Sequence, residues 1–226
     1  MSFNVAKIII VGFILWRLFF LIPLYLGDQI LAYRPGYEYT NIWKFISKYP
    51  PVDNIFLYPW ANFDGVHYLL IAGEGYTNNL GFFPLFPFSI STFSNIFEDA
   101  TTFGIAQFLT GLLVANIFFL ASLFIFYLLL RFDYSIRISL ITLAFLLVYP
   151  TSFFFGAIYS ESLFFLTSIL ALYFARKRLW FLSAIFGILS SLTRFVGIAI
   201  MPAILTEFIL QEKITKKSFP KIIPLL

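Results

Sequence analysis

Long apolar stretches alternate with short charged ones along most of this chain. Residues 8–26 form an apolar run of 19 residues that is interrupted only by Arg17. A helix needs about 20 apolar residues to cross the hydrocarbon layer of a bilayer. The pattern therefore predicts a first membrane-spanning helix. A cleaved signal peptide fits less well, because the run is too long and no small-residue cleavage site follows it.

Three further apolar runs follow, at residues 103–130, 138–175 and 179–206. The middle run has 38 residues, too many for one span, so we expect a hairpin that turns between Pro150 and Glu161. We expect the third run to break in the same way, near Arg194 and Gly197. The sequence thus predicts an all-α integral membrane protein, a polytopic bundle of about six membrane helices, some of them short for full spans.

Residues 27–102 are more polar and contain six prolines that would interrupt any long helix. We interpret this segment as a long extracytoplasmic first loop with short amphipathic helices, and residues 103–226 as the helical bundle of a single transmembrane domain, 1–226. Residues 82–97 are uncharged, contain two prolines and could form another span. We expect an interfacial helix instead, because a span here would place the basic cluster at 176–178 outside. The last residues, 222–226, begin another apolar run, and we therefore expect the bundle to be incomplete at the C-terminus.

Composition supports a membrane protein and excludes several other classes. The chain is 61% hydrophobic and 12% charged, whereas soluble domains carry about 25% charged residues. It has no cysteine and one histidine, which excludes disulfides, thiolate metal sites and zinc sites built on several imidazoles. The net charge of +4 is too small and too scattered to indicate nucleic-acid binding.

The basic residues predict an orientation, because cytoplasmic loops are enriched in Lys and Arg. With the N-terminus in the cytoplasm, 10 of the 15 basic residues lie at inner helix ends: Lys7, Arg131, Arg137, Arg176, Lys177, Arg178, Lys213, Lys216, Lys217 and Lys221. The first loop and the turns around Asp64, Glu161 and Arg194 then share the outer side. We expect a prokaryotic plasma membrane, or the endoplasmic reticulum in a eukaryote.

The first candidate for chemistry is a short amphipathic helix that begins near Asp64 and is closed by Gly73 and Gly75. His67 lies three residues after Asp64 and therefore on the same helix face, where a carboxylate and an imidazole can share or orient a proton. The alternatives are that Asp64 only caps backbone N–H groups and that His67 is merely solvated. Tyr76 and an aromatic, proline-stiffened run at 82–87 follow.

Charged residues inside the apolar runs form the second group of candidates. Such residues are costly in a membrane and usually face a cavity or a partner, which makes Glu161 and Arg194 functional candidates. They could instead pair with each other or extend to the interface. Arg17 could likewise be functional or structural, and we favour a structural ion pair.

These residues resemble those of the PIG-V type mannosyltransferases, which are polytopic glycosyltransferases of the GT-C superfamily. The resemblance covers about residues 5 to 200 and rests on four motifs: Trp60-x-x-x-Asp64-x-x-His67-Tyr68 with Gly75-Tyr76, Phe82-Phe83-Pro84-x-x-Pro87, Tyr159-Ser160-Glu161-Ser162, and Thr193-Arg194. Two departures matter. Family members are considerably longer, and many of them have Trp-Asp where this chain has Phe63-Asp64.

The resemblance implies transfer of a hexose, typically mannose, from a polyprenyl-phosphate sugar to a hydroxyl of a glycan or lipid acceptor outside the cytoplasm, with inversion. Asp64 would be the general base, and His67 would orient it or contact the sugar or phosphate. Arg194 would bind the phosphate, and Glu161 would hold Arg194 or bind acceptor hydroxyls. Tyr159 and Tyr76 are further candidates for substrate binding. No cofactor or metal is expected beyond the lipid-linked donor itself.

Two other functions fit parts of the pattern. One is a transporter or flippase of a lipid-linked glycan, with Glu161 and Arg194 along its pathway. Transporters commonly contain internal repeats and midplane charges, whereas this sequence has no repeat and its charges cluster at one membrane face. The other is a non-catalytic membrane scaffold, in which Asp64 and His67 would tolerate substitution.

Overall fold

The computed structural model describes residues 1–31, 58–76, 79–96, 102 and 104–212. Every regular element in these ranges is helical, which confirms the all-α class. The α-helices are α1 (Phe3–Phe19), α2 (Leu21–Ile30), α3 (Asp64–Glu74), α4 (Leu85–Ser94), α5 (Ile105–Leu130), α6 (Ile136–Val148), α7 (Glu161–Arg176), α8 (Trp180–Ser191) and α9 (Ile200–Gln211). Short 3₁₀ segments lie at Tyr58–Ala61, Pro150–Gly156 and Phe195–Ala199. Residues 32–57 of the predicted first loop and the C-terminal apolar run at 222–226 lie outside the described residues.

Two apolar stretches of the described chain are long enough to cross a bilayer, Phe3–Gly27 and Ile105–Leu130. A third exists if α6 and the 3₁₀ segment Pro150–Gly156, which meet at an angle of 85°, are taken as one broken span. The remaining apolar helices are shorter. The four apolar runs that fall within the described residues are largely helical, but several of the six predicted membrane helices are too short for a full span.

Both predicted breaks in the apolar runs occur where the sequence placed them. Helix α6 ends just before Pro150, whose ring removes a backbone donor, and the chain turns through a 3₁₀ segment before α7 begins at Glu161. Helix α8 ends at Ser191, and the 3₁₀ segment Phe195–Ala199 separates it from α9. A helix also forms within the segment 82–97, as α4, and its interfacial position stays a prediction.

The core that positions the site lies between α3, α4, α5 and the turn before α7. Leu69, Phe86, Phe108 and Ile158 are completely buried in it. Gly111 of α5 allows Ile158 to approach, because a Cβ at Gly111 would lie only 3.1 Å from the Ile158 side chain. Packing of these side chains joins the loop helices to the bundle.

Small polar side chains join α7 to α8. The Ser183 hydroxyl donates to the Ala171 carbonyl oxygen at 2.8 Å, and the hydroxyl oxygens of Ser168 and Ser190 lie 2.8 Å apart. Small residues let two helix backbones approach closely where lipid gives no hydrophobic drive for association. These bonds fix the end of α8, and with it the break that carries Arg194.

Candidate active site

A cavity of about 260 Å³ opens where α3, the segment before α4 and the break between α8 and α9 meet. Its lining is part polar and part aromatic: Asp64, Tyr68, Gly81, Phe82, Phe83, Thr193, Arg194, Phe195 and Val196. A backbone hydrogen bond joins two of its walls, since the Leu85 N–H donates to the Leu192 carbonyl oxygen at 3.0 Å. Three separate segments of the chain therefore form one site.

The turn that carries Asp64 is docked on the turn that precedes α7. The Ile158 N–H donates to the Trp60 carbonyl oxygen at 2.8 Å, and the Tyr159 hydroxyl donates to the Asn62 carbonyl oxygen at 2.9 Å. Gly65 permits this approach, because a Cβ there would lie 3.3 Å from the Ile158 carbonyl oxygen. The Asp64 turn and the start of α7 are therefore held as one unit.

The backbone just before Asp64 is strained. Phe63 has φ 55° and ψ −117°, in the left-handed half of the map that a bulky residue rarely occupies. Strain of this kind costs about 1–3 kcal/mol and concentrates at functional sites. Phe63 occupies the N-cap position without a side-chain capping bond, and Asp64 is the first residue of α3.

The Asp64 carboxylate faces the cavity and is exposed. Within the described ranges it makes no hydrogen bond or ion pair, although its position in the first turn of α3 is favourable for a negative charge. Gly75, with φ 76°, ends the helix, and its N–H donates to the Ile71 carbonyl oxygen at 2.9 Å. The predicted helix and its glycine stop are thus confirmed, and Asp64 lies in the cavity wall.

Tyr68 connects the cavity wall to the start of α7. Its hydroxyl donates to the buried Ser160 hydroxyl oxygen at 2.9 Å, and its ring meets those of Phe82 and Phe86 edge to face. Burial raises the pKa of Tyr68 to about 12, so the phenol remains a proton donor at neutral pH. This hydroxyl therefore joins the cavity wall to Ser160, the residue that precedes Glu161.

Arg194 and Glu161 form an ion pair in which Arg194 Nη1 donates to Glu161 Oε1. Their side chains are 40% and 27% exposed, and Arg194 also lines the cavity. The pairing that the sequence left open is therefore present. An exposed ion pair of this kind contributes about 0–1 kcal/mol to stability, so its main effect is to orient the guanidinium. The guanidinium has five N–H donors, which leaves others available for a ligand.

His67 lies against the aromatic wall. Its ring stacks on Phe82 with centroids 4.8 Å apart and an angle of 28°, and its Nδ1 lies 3.1 Å from Asn79 Oδ1. His67 is not among the residues that line the cavity, and the structure gives it these contacts in place of a hydrogen bond to Asp64 within the described ranges.

The hydroxyls of the two other predicted substrate-binding residues contact backbone carbonyls. The Tyr76 hydroxyl donates to the Phe82 carbonyl oxygen at 2.8 Å, and that of Tyr159 donates to Asn62. The Tyr159 ring also stacks on Phe154, with centroids 5.2 Å apart. Both tyrosines therefore support segments that form the cavity, and their contact with substrate stays a prediction.

The sequence missed part of the cavity wall. Phe82 and Phe83 were predicted only as part of a family motif, without a role, although they lie in the cavity. Phe195 and Val196 also line it, and their only signal in the sequence was their position next to Arg194. Among the described residues, no group of three or more His, Asp or Glu side chains is arranged to hold a metal ion.

An exposed carboxylate and a guanidinium in one small cavity can together accept a proton and bind an anionic group. Comparison with known protein families gives one match: the family model described as mannosyltransferase (PIG-V) fits residues 35–214, which is more than half of the chain. The matched range contains every residue of the cavity wall. The chain matches none of the curated proteins and none of the solved structures with which it was compared.

Proposed function

The chain belongs to the PIG-V mannosyltransferase family, and from this membership we propose that it transfers mannose from a polyprenyl-phosphate sugar to a hydroxyl acceptor in the cavity between Asp64 and Arg194. A glycosyltransferase of this kind needs a sugar donor, an acceptor and a site that binds both. The observation that carries the proposal is that an exposed carboxylate, without a partner among the described residues, and an oriented guanidinium lie in the same cavity wall.

The proposed reaction is a single displacement at the anomeric carbon. The acceptor hydroxyl oxygen forms a bond to this carbon while the bond from the carbon to the phosphate oxygen breaks, and the electron pair leaves with the polyprenyl phosphate. The hydroxyl proton passes to Asp64. A single proposed base is consistent with inversion, and positioned proton transfer contributes about 10²- to 10⁴-fold to such reactions.

Arg194 is proposed to bind the phosphate that leaves. Its planar fork suits a phosphate, and charge-assisted hydrogen bonds to this group become stronger as negative charge develops. Glu161 holds the guanidinium in place through the ion pair. Arg194→Lys keeps the charge but loses the fork, so we expect this variant to transfer more slowly even where the donor still binds.

We further propose a GT-C type polytopic enzyme whose cavity opens on the extracytoplasmic side. Helix α7 supports this orientation, because its first residue, Glu161, lies at the site while its last turn reaches the basic cluster at 176–178. In a chain without cysteine, single substitutions Glu74→Cys and Lys177→Cys should label from opposite sides of the membrane. Labelling of both from the same side would contradict the orientation.

The experiment that tests the function uses membranes containing this chain and polyprenyl-phosphate mannose with a radiolabelled sugar. We expect the label to pass to an acceptor, and polyprenyl-phosphate glucose to be a poorer donor. A flippase would instead move the labelled lipid across the bilayer and leave the sugar on its phosphate. Movement without transfer would therefore replace the proposed function with transport.

A further inference from the structure

One aromatic residue of the cavity wall is held more firmly than its place in the chain requires. Phe82 lies in an irregular segment between α3 and α4, and its ring is half-buried in the cavity wall. Binding residues often lie on loop segments that a rigid scaffold positions. The contacts that position Phe82 in the cavity wall are therefore relevant to ligand binding.

Four contacts fix Phe82. His67 stacks on its ring at 4.8 Å, and the Tyr68 ring meets it edge to face at 5.1 Å. The Tyr76 hydroxyl donates to its carbonyl oxygen at 2.8 Å, while its own N–H donates to the Asn79 carbonyl oxygen at 3.3 Å. By contrast, Phe195 in the same cavity is 73% exposed. Phe82 is thus an anchored aromatic ring of this wall, as Tyr68 is, and it is the more exposed of the two.

We infer that Phe82 is the platform on which the hexose of the donor packs, and that His67 acts on the sugar only by holding Phe82 in place. One face of a hexose ring presents C–H groups, and the face of an aromatic ring is negative, so the two attract each other. The cavity, at about 260 Å³, is below the 300–1,000 Å³ typical of sites for larger ligands and suits a single sugar unit.

This inference rests on the proposed function for the identity of the sugar, but it predicts binding and not chemistry. His67 becomes a positioning residue, because its two contacts lead to Phe82 and Asn79. The imidazole then matters as a flat ring and not as an acid or base. A flat ring of similar size should replace it, whereas a flexible amide that could still bond to Asn79 should not.

The first experiment measures binding to the purified full chain of two lipids, polyprenyl-phosphate mannose and the same polyprenyl phosphate without sugar. We expect the wild-type chain to bind the mannose-bearing lipid more tightly. Phe82→Leu should reduce this preference by roughly 3- to 10-fold, the range for loss of one aromatic stacking contact. Phe88→Leu is the matched control, since Phe88 lies on α4, is 67% exposed and does not line the cavity.

An equal effect of the two leucine variants, or no preference for the mannose-bearing lipid in the wild type, would overturn the inference. Because this readout needs no transfer, it separates the sugar platform from the proposed function. A chain that binds mannose selectively and transfers nothing would keep the platform and contradict the enzyme. A chain that transfers mannose without dependence on Phe82 would support the enzyme and contradict the platform.

The second experiment separates the two views of His67 by rescue. We expect His67→Phe to keep the donor KM and kcat within about threefold of the wild type, because the stacked ring is retained. His67→Gln should raise the donor KM and leave kcat largely unchanged. If both variants instead lose kcat to the same extent, the imidazole takes part in proton transfer and the positioning role is wrong.

Discussion

Gly197 allows the break between α8 and α9 to pack closely enough to present Arg194. A Cβ at this position would lie 2.5 Å from the Ser191 backbone nitrogen and closer still to the Ser190 carbonyl group. These are backbone atoms, so no rotamer change can relieve the overlap. To reach an ordinary 3.4 Å contact, the 3₁₀ segment Phe195–Ala199 must move by about 0.9 Å.

Gly197→Ala should therefore lower both stability and activity. Overpacking against a well-packed interior costs about 1–3 kcal/mol, and for a chain of this size each kcal/mol lowers Tm by about 2–4 °C. The Gly197 N–H donates to the Arg194 carbonyl oxygen at 2.9 Å, so the shift also moves the guanidinium. A misplacement of about 1 Å can cost about 100-fold in rate.

The matched control is Gly187→Ala in α8. A Cβ there meets only the side chains of Ile204 and Ile200, at 3.4 and 3.6 Å, and alanine is the better helix former. Thermal unfolding of the purified chains in detergent and mannose transfer in membranes measure the two effects. A Gly197→Ala protein that melts and transfers like Gly187→Ala would refute the packing argument.

Two further predictions concern contacts that support the site. Tyr68→Phe leaves the buried Ser160 hydroxyl without its donor and should lower the free energy of unfolding by about 1–3 kcal/mol. Adding Ser160→Ala should recover part of this loss. Strictly additive losses of the two substitutions in thermal unfolding would show that the hydrogen bond is unimportant. Gly156→Ala places a Cβ 2.5 Å from Arg17 Nη1 and should lower Tm by displacing that guanidinium, while Gly12→Ala, whose Cβ meets a side chain at 3.5 Å, should melt like the wild type. Equal melting of these two glycine variants would contradict the close approach of Arg17.

The apolar pattern was sufficient to predict most of the described fold. Runs of apolar residues separated by charges predicted the helices. Pro150 marked the first break because its ring removes a backbone donor, and Arg194 and Gly197 marked the second. The number of complete spans was harder to predict. It depends on where helices bend and pack, which composition within one run does not determine.

The candidate site was also predicted only in part, because local pattern identifies residues but not how distant segments pack. Spacing placed Asp64 at the start of α3, and the cost of burying a charge identified Glu161 and Arg194. Stacking of His67 on Phe82 was not predicted, since it depends on an irregular segment folding back over α3. Arg17 illustrates the same limit. An ion pair was expected, but its guanidinium donates to the Gly156 carbonyl oxygen at 3.1 Å and lies 3.7 Å from the centre of the Trp60 ring.

Asp64→Asn tests the proposed base with the smallest change in shape. Asp133→Asn is the matched control, because Asp133 pairs with Arg176 at 2.6 Å at the far end of α7 from the cavity. The measurement is the rate of mannose transfer from polyprenyl-phosphate mannose, together with the donor KM. We expect Asp64→Asn to lose about 100-fold or more in kcat with little change in KM, and Asp133→Asn to retain the wild-type rate. An Asp64→Asn protein that transfers mannose as fast as Asp133→Asn would contradict the assignment of Asp64 as the base.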